Sequence, residues 1–190
     1  MKYILASKSP RRRELLKNIG MDFEVMASDF DESTVPKDIE PQLYVQELAL
    51  CKAMSLVKQC DKDSLIIGAD TVVCADGEII GKPCGRREAI SMLSSLSGKA
   101  HKVYTGVALV SAENAGSMTS CEETTVYFDE IPLEEIEYYV NTYAPFDKAG
   151  AYGIQEYAGV FIKKIEGDYF NIVGLPVHLL HKLIRKFGED

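Results

Sequence analysis

The sequence lacks several features that mark common protein classes. It has no apolar run approaching the roughly 18–20 residues that cross a bilayer, which excludes a membrane-spanning helix. Its first residues run directly into arginines and are too few to form the apolar core of a signal peptide. It also has no internal repeat, low-complexity tract or long linker. We therefore expect one domain over residues 1–190, with two lobes around a central cleft as an open alternative.

The chain is also short of basic residues. It has 21 Lys and Arg against 29 Asp and Glu, which gives a net charge of −8. General duplex binding depends on neutralising many phosphates, so we expect no nucleic-acid partner. If phosphate is the ligand, a local pocket must hold it, and it can arrive with a metal ion.

Cysteines are few and do not form a C-x-x-C pair. There are five, an odd number: Cys51, Cys60, Cys74, Cys84 and Cys121. This pattern argues against a structural zinc site and for reduced thiols in a cytoplasm. The glycines follow neither the Walker nor the G-x-G-x-x-G spacing, so neither nucleotide-binding motif applies.

What the chain does have is an alternation of strand and helix patterns. The paired β-rich stretches of the second half argue against a purely parallel sheet, so we predict an α/β fold with a mixed twisted sheet flanked by helices. Predicted strands cover residues 3–6, 23–26, 64–67, 102–110 and 119–128, with hairpins around Asp76-Gly77 and over 160–173. Predicted helices cover residues 10–19, 41–58, 87–96, 132–142 and 175–187.

Three consecutive arginines open the first predicted helix. Ser9 is a suitable N-cap and Pro10 suits the first helical position. Helix starts favour acidic residues in the first turn, so Arg11–Arg13 oppose the helix dipole. An anion at the free N–H groups would remove this conflict, because guanidinium groups match phosphate oxygens. A surface helix start without a ligand is the alternative.

Asp70 is the first candidate for catalysis. The pattern places it at the end of an apolar strand, where α/β proteins locate their sites, and the small Gly68 and Ala69 before it allow a close approach to the backbone. A carboxylate there can hold a divalent metal or take a proton from water. The alternative is an Asp that caps the following turn.

Two lysines and one glycine-rich segment complete the candidates. Lys52 lies on an amphipathic predicted helix and Lys82 in a rigid Gly-Lys-Pro turn. Each alone is typical of the surface, but with Arg12 and a metal they would form a triphosphate clamp. Residues 147–155 have no helix or strand period and predict a shaped loop, in which Gln155 can read a base edge. A tight turn with a surface Gln is the alternative.

Six short motifs in order resemble the Maf family of nucleoside triphosphate pyrophosphatases. They span nearly the whole chain and comprise Ser7-x-Ser9-Pro10-Arg11-Arg12, Gly68-Ala69-Asp70-Thr71, Gly81-Lys82-Pro83, Ser97-Gly98, residues 147–155 and Val173-Gly174-Leu175-Pro176. The resemblance implies hydrolysis between the α- and β-phosphates, yielding a nucleoside monophosphate and pyrophosphate. It also implies a fold akin to the inosine triphosphatase-type enzymes (Maf/Ham-type), a divalent metal (Mg²⁺, Mn²⁺ or Co²⁺) and often a homodimer.

The same resemblance assigns roles to individual residues. Asp70 would be the catalytic carboxylate and a metal ligand, and the phosphate ligands would be Ser7, Arg12, Lys52 and Lys82. The family usually has Glu where this chain has Asp31. The shorter side chain leaves open whether Asp31 or Glu32 helps to hold the metal.

The chain also resembles the dTTP/UTP-directed subtype at three positions, Arg11, Thr71 and Gln155. This resemblance implies that Gln155 faces the edge of the pyrimidine. Arg13 is left as the solvent-facing arginine. The alternatives are the same reaction on modified pyrimidine nucleotides or 7-methyl-GTP, and a nucleotide-binding regulator of septum formation or cell division.

Overall fold

A mixed sheet of seven strands forms the centre of the protein in the computed structural model, which describes residues 2–189. The strands are β1 (Lys2–Leu5), β2 (Glu24–Val25), β3 (Ser64–Ala75), β4 (Glu78–Ile80), β5 (Ala100–Ser111), β6 (Ser117–Phe128) and β7 (Ile162–Glu166). Their order is β2-β1-β3-β5-β6-β7, and β4 pairs with β3 outside this path. β1 is parallel to β2 and β3, whereas the other pairs are antiparallel. The predicted mixed sheet is therefore confirmed.

Helices cover both faces of this sheet. They are α1 (Pro10–Asn18), α2 (Pro41–Met54), α3 (Arg86–Leu96), α4 (Leu133–Tyr143), α5 (Tyr169–Val173) and α6 (Val177–Phe187). Successive residues of a strand point to opposite faces, so Ile66 of β3 packs in a cluster with Ala53 of α2, and Ile67 with Leu16 of α1. This two-sided burial explains why β3 is apolar almost throughout. Within residues 2–189, no helix has both the length and the apolar character needed to cross a membrane.

The start of α1 follows the capping rules on which its prediction was based. The Ser9 side chain accepts a hydrogen bond from the backbone N–H of Arg12, and Pro10 is the first helical residue. The predicted helix over 41–58 is shorter than expected: α2 ends at Met54, and a separate 3₁₀ turn covers Val57–Gln59.

The prediction that Asp70 ends a strand is wrong. β3 continues through it because β5 pairs with β3 from Leu65 to Cys74. The close approach predicted at the small residues before Asp70 is made by a helix at Gly68: a Cβ there would lie 2.0 Å from the backbone oxygen of Ala49 in α2. The glycine therefore brings α2 directly onto the face of β3 that carries Asp70.

The predicted hairpin over 160–173 is wrong in its second half. β7 pairs with β6 as expected, but the β-rich segment after it forms the short helix α5. The Asp168 side chain accepts from the backbone N–H of Phe170 at 2.8 Å and caps this helix, and Gly174 ends it with a φ of 119°. Capping at both ends thus outweighs the β-rich composition.

Candidate active site

The candidate site lies where one edge of β3 changes its partner. β1 pairs with this edge only as far as Ile67, and β4 pairs with it from Val73. The intervening stretch, which holds Asp70 and Thr71, lines a cleft of about 630 Å³. Points at which strand connections diverge are where α/β sheets open a crevice for ligands.

The cleft gathers every site residue predicted from the sequence except Asp31. Its lining includes Ser7, Arg11, Arg12, Glu32, Lys52, Asp70, Thr71, Lys82 and Gln155. Asp31 is exposed and caps the 3₁₀ turn Glu32–Thr34, since its Oδ1 accepts from the backbone N–H of Ser33 at 3.0 Å and from its hydroxyl at 2.7 Å. Of the two acidic loop residues, the structure therefore brings only Glu32 to the cleft.

Asp70 and Glu32 converge on one ammonium group. Lys52 Nζ lies 2.5 Å from Asp70 Oδ1 and 2.7 Å from Glu32 Oε1. The Lys52 and Asp70 side chains are each 12% exposed, so this ion pair is largely shielded from water. Burial acts to raise the pKa of Glu32, but the hydrogen bond and charge of Lys52 outweigh it and hold that pKa below its ordinary value. Glu32 is therefore ionised at neutral pH.

The same two carboxylates fit a divalent cation. Asp70 on β3 and Glu32 in the loop before α2 both contact the ammonium group of Lys52, so their oxygens already surround one positive charge. Carboxylate oxygens are preferred ligands of Mg²⁺ and Mn²⁺. Nowhere in the described part of the chain do three or more His, Cys, Asp or Glu side chains form a metal-binding group. Substrate oxygens and water would supply the remaining ligands, which is usual for Mg²⁺ bound to phosphates.

Arg12 is held by three protein acceptors. Nε donates to the backbone oxygen of Gly174 at 2.7 Å, Nη1 to Ser7 Oγ at 3.3 Å and Nη2 to Thr71 Oγ1 at 3.1 Å. Burial lowers the pKa of this guanidinium, and the charge of Asp70 opposes that effect. Because a guanidinium has five N–H donors, two remain after these three bonds, one on each terminal nitrogen. This pair matches the forked geometry that binds phosphate.

Arg11 pairs with a carboxylate of the protein itself. Its Nη1 lies 3.2 Å from Asp147 Oδ2, and Asp147 Oδ1 accepts from Lys148 Nζ at 2.8 Å. Lys148 Nζ also lies 3.3 Å from Glu156 Oε1. These contacts tie the start of α1 to the loop after α4. Asp147 therefore supplies part of the negative charge that the arginine-rich helix start requires, while Arg13 is exposed.

The loop over residues 147–155 has the irregular shape that its sequence predicts. Gly150 and Ala151 both have left-handed backbone angles, with φ of 66° and 60°. The backbone N–H of Gly150 donates to the oxygen of Gly81 at 3.0 Å, which joins the loop to the turn that carries Lys82. Lys82 and Gln155 are both exposed on the cleft wall.

Comparison with known proteins assigns the chain to a family. The family model described as Maf-like protein matches residues 2–187. The chain belongs to the Maf family.

Relatives of this Maf chain match it along its length. It is 48% identical over 190 residues to a protein named dTTP/UTP pyrophosphatase from Clostridium novyi (strain NT), covering 100% of both chains. It is 52% identical over 177 residues to a protein of the same name from Thermosipho africanus (strain TCF52B), covering 93% of this chain and 88% of that one. Among solved structures, a HAM1 protein from Coxiella burnetii aligns with a TM-score of 0.47 at 16% identity, covering 70% of this chain and 75% of that one.

Several cleft residues of the Maf chain were not found by sequence reasoning: Lys37, Tyr44, Lys148 and Glu156. Lys148 is only 8% exposed. A Cβ at Gly153 would lie 3.1 Å from Lys148 Cε, so the glycine makes room for this side chain. The sequence contained one sign that Lys148 forms an ion pair, because it directly follows Asp147 in residues 147–155. The sequence gives no sign that Glu156 approaches the same ammonium group.

Proposed function

We propose that this protein is a nucleoside triphosphate pyrophosphatase that hydrolyses dTTP and UTP to the monophosphate and pyrophosphate. The observation that carries the proposal is the shielded carboxylate of Asp70, which faces Lys52 in a cleft that Arg12 also lines. Full-length relatives at 45–52% identity, each named dTTP/UTP pyrophosphatase, support the substrate class.

Asp70 takes the proton of the attacking water. The water oxygen forms a bond to the α-phosphorus, and the bond from that phosphorus to the oxygen bridging to the β-phosphorus breaks. Pyrophosphate leaves with the bridging oxygen, and the monophosphate keeps the oxygen of water. Lys52 and Lys82 stabilise the charge that develops on the leaving pyrophosphate. Ser7 and the two remaining N–H donors of Arg12 hold the phosphates.

Asp70 and Glu32 are the residues that would hold a divalent cation, Mg²⁺, Mn²⁺ or Co²⁺. When bound, the cation supplies neutralisation of charge on the phosphate oxygens. We favour Glu32 over Asp31 because the oxygen of Asp31 that caps the turn already accepts two hydrogen bonds from Ser33.

Base selection is assigned to the loop that carries Gln155. Its side chain has both a donor and an acceptor and is exposed on the cleft wall, where a pyrimidine edge can pair with it. Arg11 contributes through Asp147, which belongs to the same loop. Thr71, the third residue of the subtype pattern, contacts Arg12 and so acts on the phosphates.

The proposal includes a reducing compartment such as the cytoplasm, which the five free cysteines support. The homodimer implied by the family resemblance stays a prediction, and light scattering of the purified protein tests it.

Incubation with dTTP and Mg²⁺ in ¹⁸O-labelled water tests the reaction. We expect pyrophosphate and dTMP, with the label in dTMP because water attacks the α-phosphorus. Orthophosphate as the first product, or label in the pyrophosphate, would overturn the mechanism. A panel of triphosphates at one concentration, including CTP, 7-methyl-GTP and modified pyrimidine nucleotides, tests the substrate class.

Asp70→Asn tests the role of the carboxylate. We expect kcat to fall about 10²–10⁴-fold, the range in which general bases contribute. Asp63→Asn makes the same chemical change at an exposed position just before β3 and should leave kcat unchanged. Undiminished turnover in Asp70→Asn would reject Asp70 as the base.

A further inference from the structure

A line of hydrogen bonds runs from Arg12 into the interior of the sheet. Thr71 Oγ1, the acceptor for Arg12 Nη2, lies 2.9 Å from Thr105 Oγ1. Thr105 Oγ1 in turn donates to the backbone oxygen of Asn171 at 2.9 Å. Thr71 and Thr105 are direct partners on β3 and β5, and Thr105 and Asn171 are both 0% exposed. Thr105 thus contacts the site only through other residues.

The count of hydrogens sets the direction of these bonds. A threonine hydroxyl has one hydrogen, and the carbonyl of Asn171 can only accept, so the hydrogen of Thr105 points to Asn171. Thr105 must then accept from Thr71, whose single hydrogen is used in that bond. The lone pairs of Thr71 are left for Arg12, which has only donors. Every bond along the line therefore has one donor and one acceptor.

We propose that Thr105 is a positioning residue for triphosphate binding and acts through Thr71 on Arg12; the identity of the ligand rests on the proposed function. Without the Thr105 hydroxyl, the hydrogen of Thr71 turns to its other near acceptor, the backbone oxygen of Gly174 at 3.4 Å. Arg12 Nε already uses that oxygen at 2.7 Å. A carbonyl oxygen can accept two hydrogen bonds, so Arg12 keeps this bond. The bond that changes is the one from Nη2 to Thr71, because the Thr71 hydroxyl must move toward Gly174 to shorten the 3.4 Å contact. The N–H of Nη2 that is left for phosphate is then redirected.

The same line links position 71 to the substrate through Arg12. Thr71 is short enough to reach Thr105 on one side and Arg12 on the other. A longer side chain there would displace the guanidinium. Position 71 therefore acts on the phosphates of the substrate.

Thr105→Val tests the proposal because it keeps the shape of the side chain and removes the hydroxyl. We expect KM for dTTP to rise about tenfold with kcat within twofold, the pattern of lost binding that is equal in the ground and transition states. Thr105→Ser restores the hydroxyl and should return KM to the wild-type value. Thr124→Val is the matched control. Thr124 is also 0% exposed, and its hydroxyl bonds to Asp168 and accepts from the Asn171 side chain at 2.9 Å, but it does not contact Arg12 or Thr71. The control therefore shows whether a disturbance at Asn171 alone affects binding. Its KM should stay unchanged.

Titration calorimetry with inorganic tripolyphosphate gives a second readout that needs no turnover. We expect Thr105→Val to weaken its binding about tenfold and Thr124→Val to leave it unchanged.

A wild-type protein that hydrolyses no triphosphate would reject the proposed function, whereas this titration would still decide the role of Thr105. If Thr105→Val does not fold, Thr105→Cys, with a weaker hydrogen-bonding group, should give an intermediate KM. Equal KM values for wild type and the position-105 variants, or an equal rise in Thr124→Val, would overturn the proposal.

Discussion

Acid should destabilise this protein strongly because of one buried histidine. His101 is 2% exposed, and its Nε2 lies 2.7 Å from the Tyr152 hydroxyl. Its ring packs edge-on against Phe128, with ring centroids 4.8 Å apart. Nδ1 has no hydrogen-bond partner among residues 2–189. Burial therefore lowers the pKa of His101 from 6.5 to about 4.

The lowered pKa means that the folded state favours the neutral imidazole. Well above pH 6.5 neither the folded nor the unfolded chain holds the proton, so the contribution of His101 to stability is complete. As the pH falls from 6.5 toward 4, the unfolded chain takes up a proton that the folded chain does not, and stability is lost. The full difference corresponds to about 3 kcal/mol, of which about 2 kcal/mol is lost between pH 7 and pH 5.

Urea unfolding at pH 7 and pH 5 measures this loss. His101→Gln cannot titrate but can still hydrogen-bond to Tyr152, so the wild type should lose about 2 kcal/mol more than this variant between the two pH values. His178→Gln removes an exposed histidine of α6 and should show the wild-type loss. Equal losses in wild type and His101→Gln would refute the reasoning, because carboxylate titration alone would then account for the acid sensitivity.

Three further predictions test the packing and charges around the cleft. Gly68→Ala should lower the free energy of unfolding, measured in urea, by about 3 kcal/mol, because the new Cβ would overlap the backbone of α2. Gly81→Ala is the control and should change that free energy little, because its Cβ would lie in open space. Arg11→Asp and Asp147→Arg should each raise KM for dTTP about fivefold. The double variant should recover most of the loss because the ion pair re-forms. A double variant with a KM as high as that of Arg11→Asp would indicate direct contact of Arg11 with the substrate. Lys52→Met should tighten Mn²⁺ binding severalfold, because the carboxylates of Asp70 and Glu32 lose their ammonium partner. Calorimetry without nucleotide measures this affinity. Unchanged or weaker binding would argue against a cation between these two carboxylates.

Much of the candidate site could be predicted from the sequence because its parts lie in short local motifs. Ser9 and Pro10 mark the start of α1, and the glycine-rich residues 147–155 mark a shaped loop. The wrong predictions arise where distant contacts decide the structure. Asp70 was predicted to end its strand, but β3 continues through it because β5 pairs with it. Gly68 was predicted to allow a close approach to the backbone, and the backbone of α2 makes that approach. Its true partner lies in another element, which a local pattern cannot identify.

The sequence by itself determined the family, the mixed α/β class and the identity of most residues that line the cleft, because capping, periodicity and motif order are properties of neighbouring residues. The tertiary structure alone decided which of these residues meet. It placed Glu32 rather than Asp31 against Lys52, paired Arg11 with Asp147, and set Thr105 behind Thr71. These pairings join residues far apart in the chain, and they depend on strand register and on how closely α2 approaches the sheet.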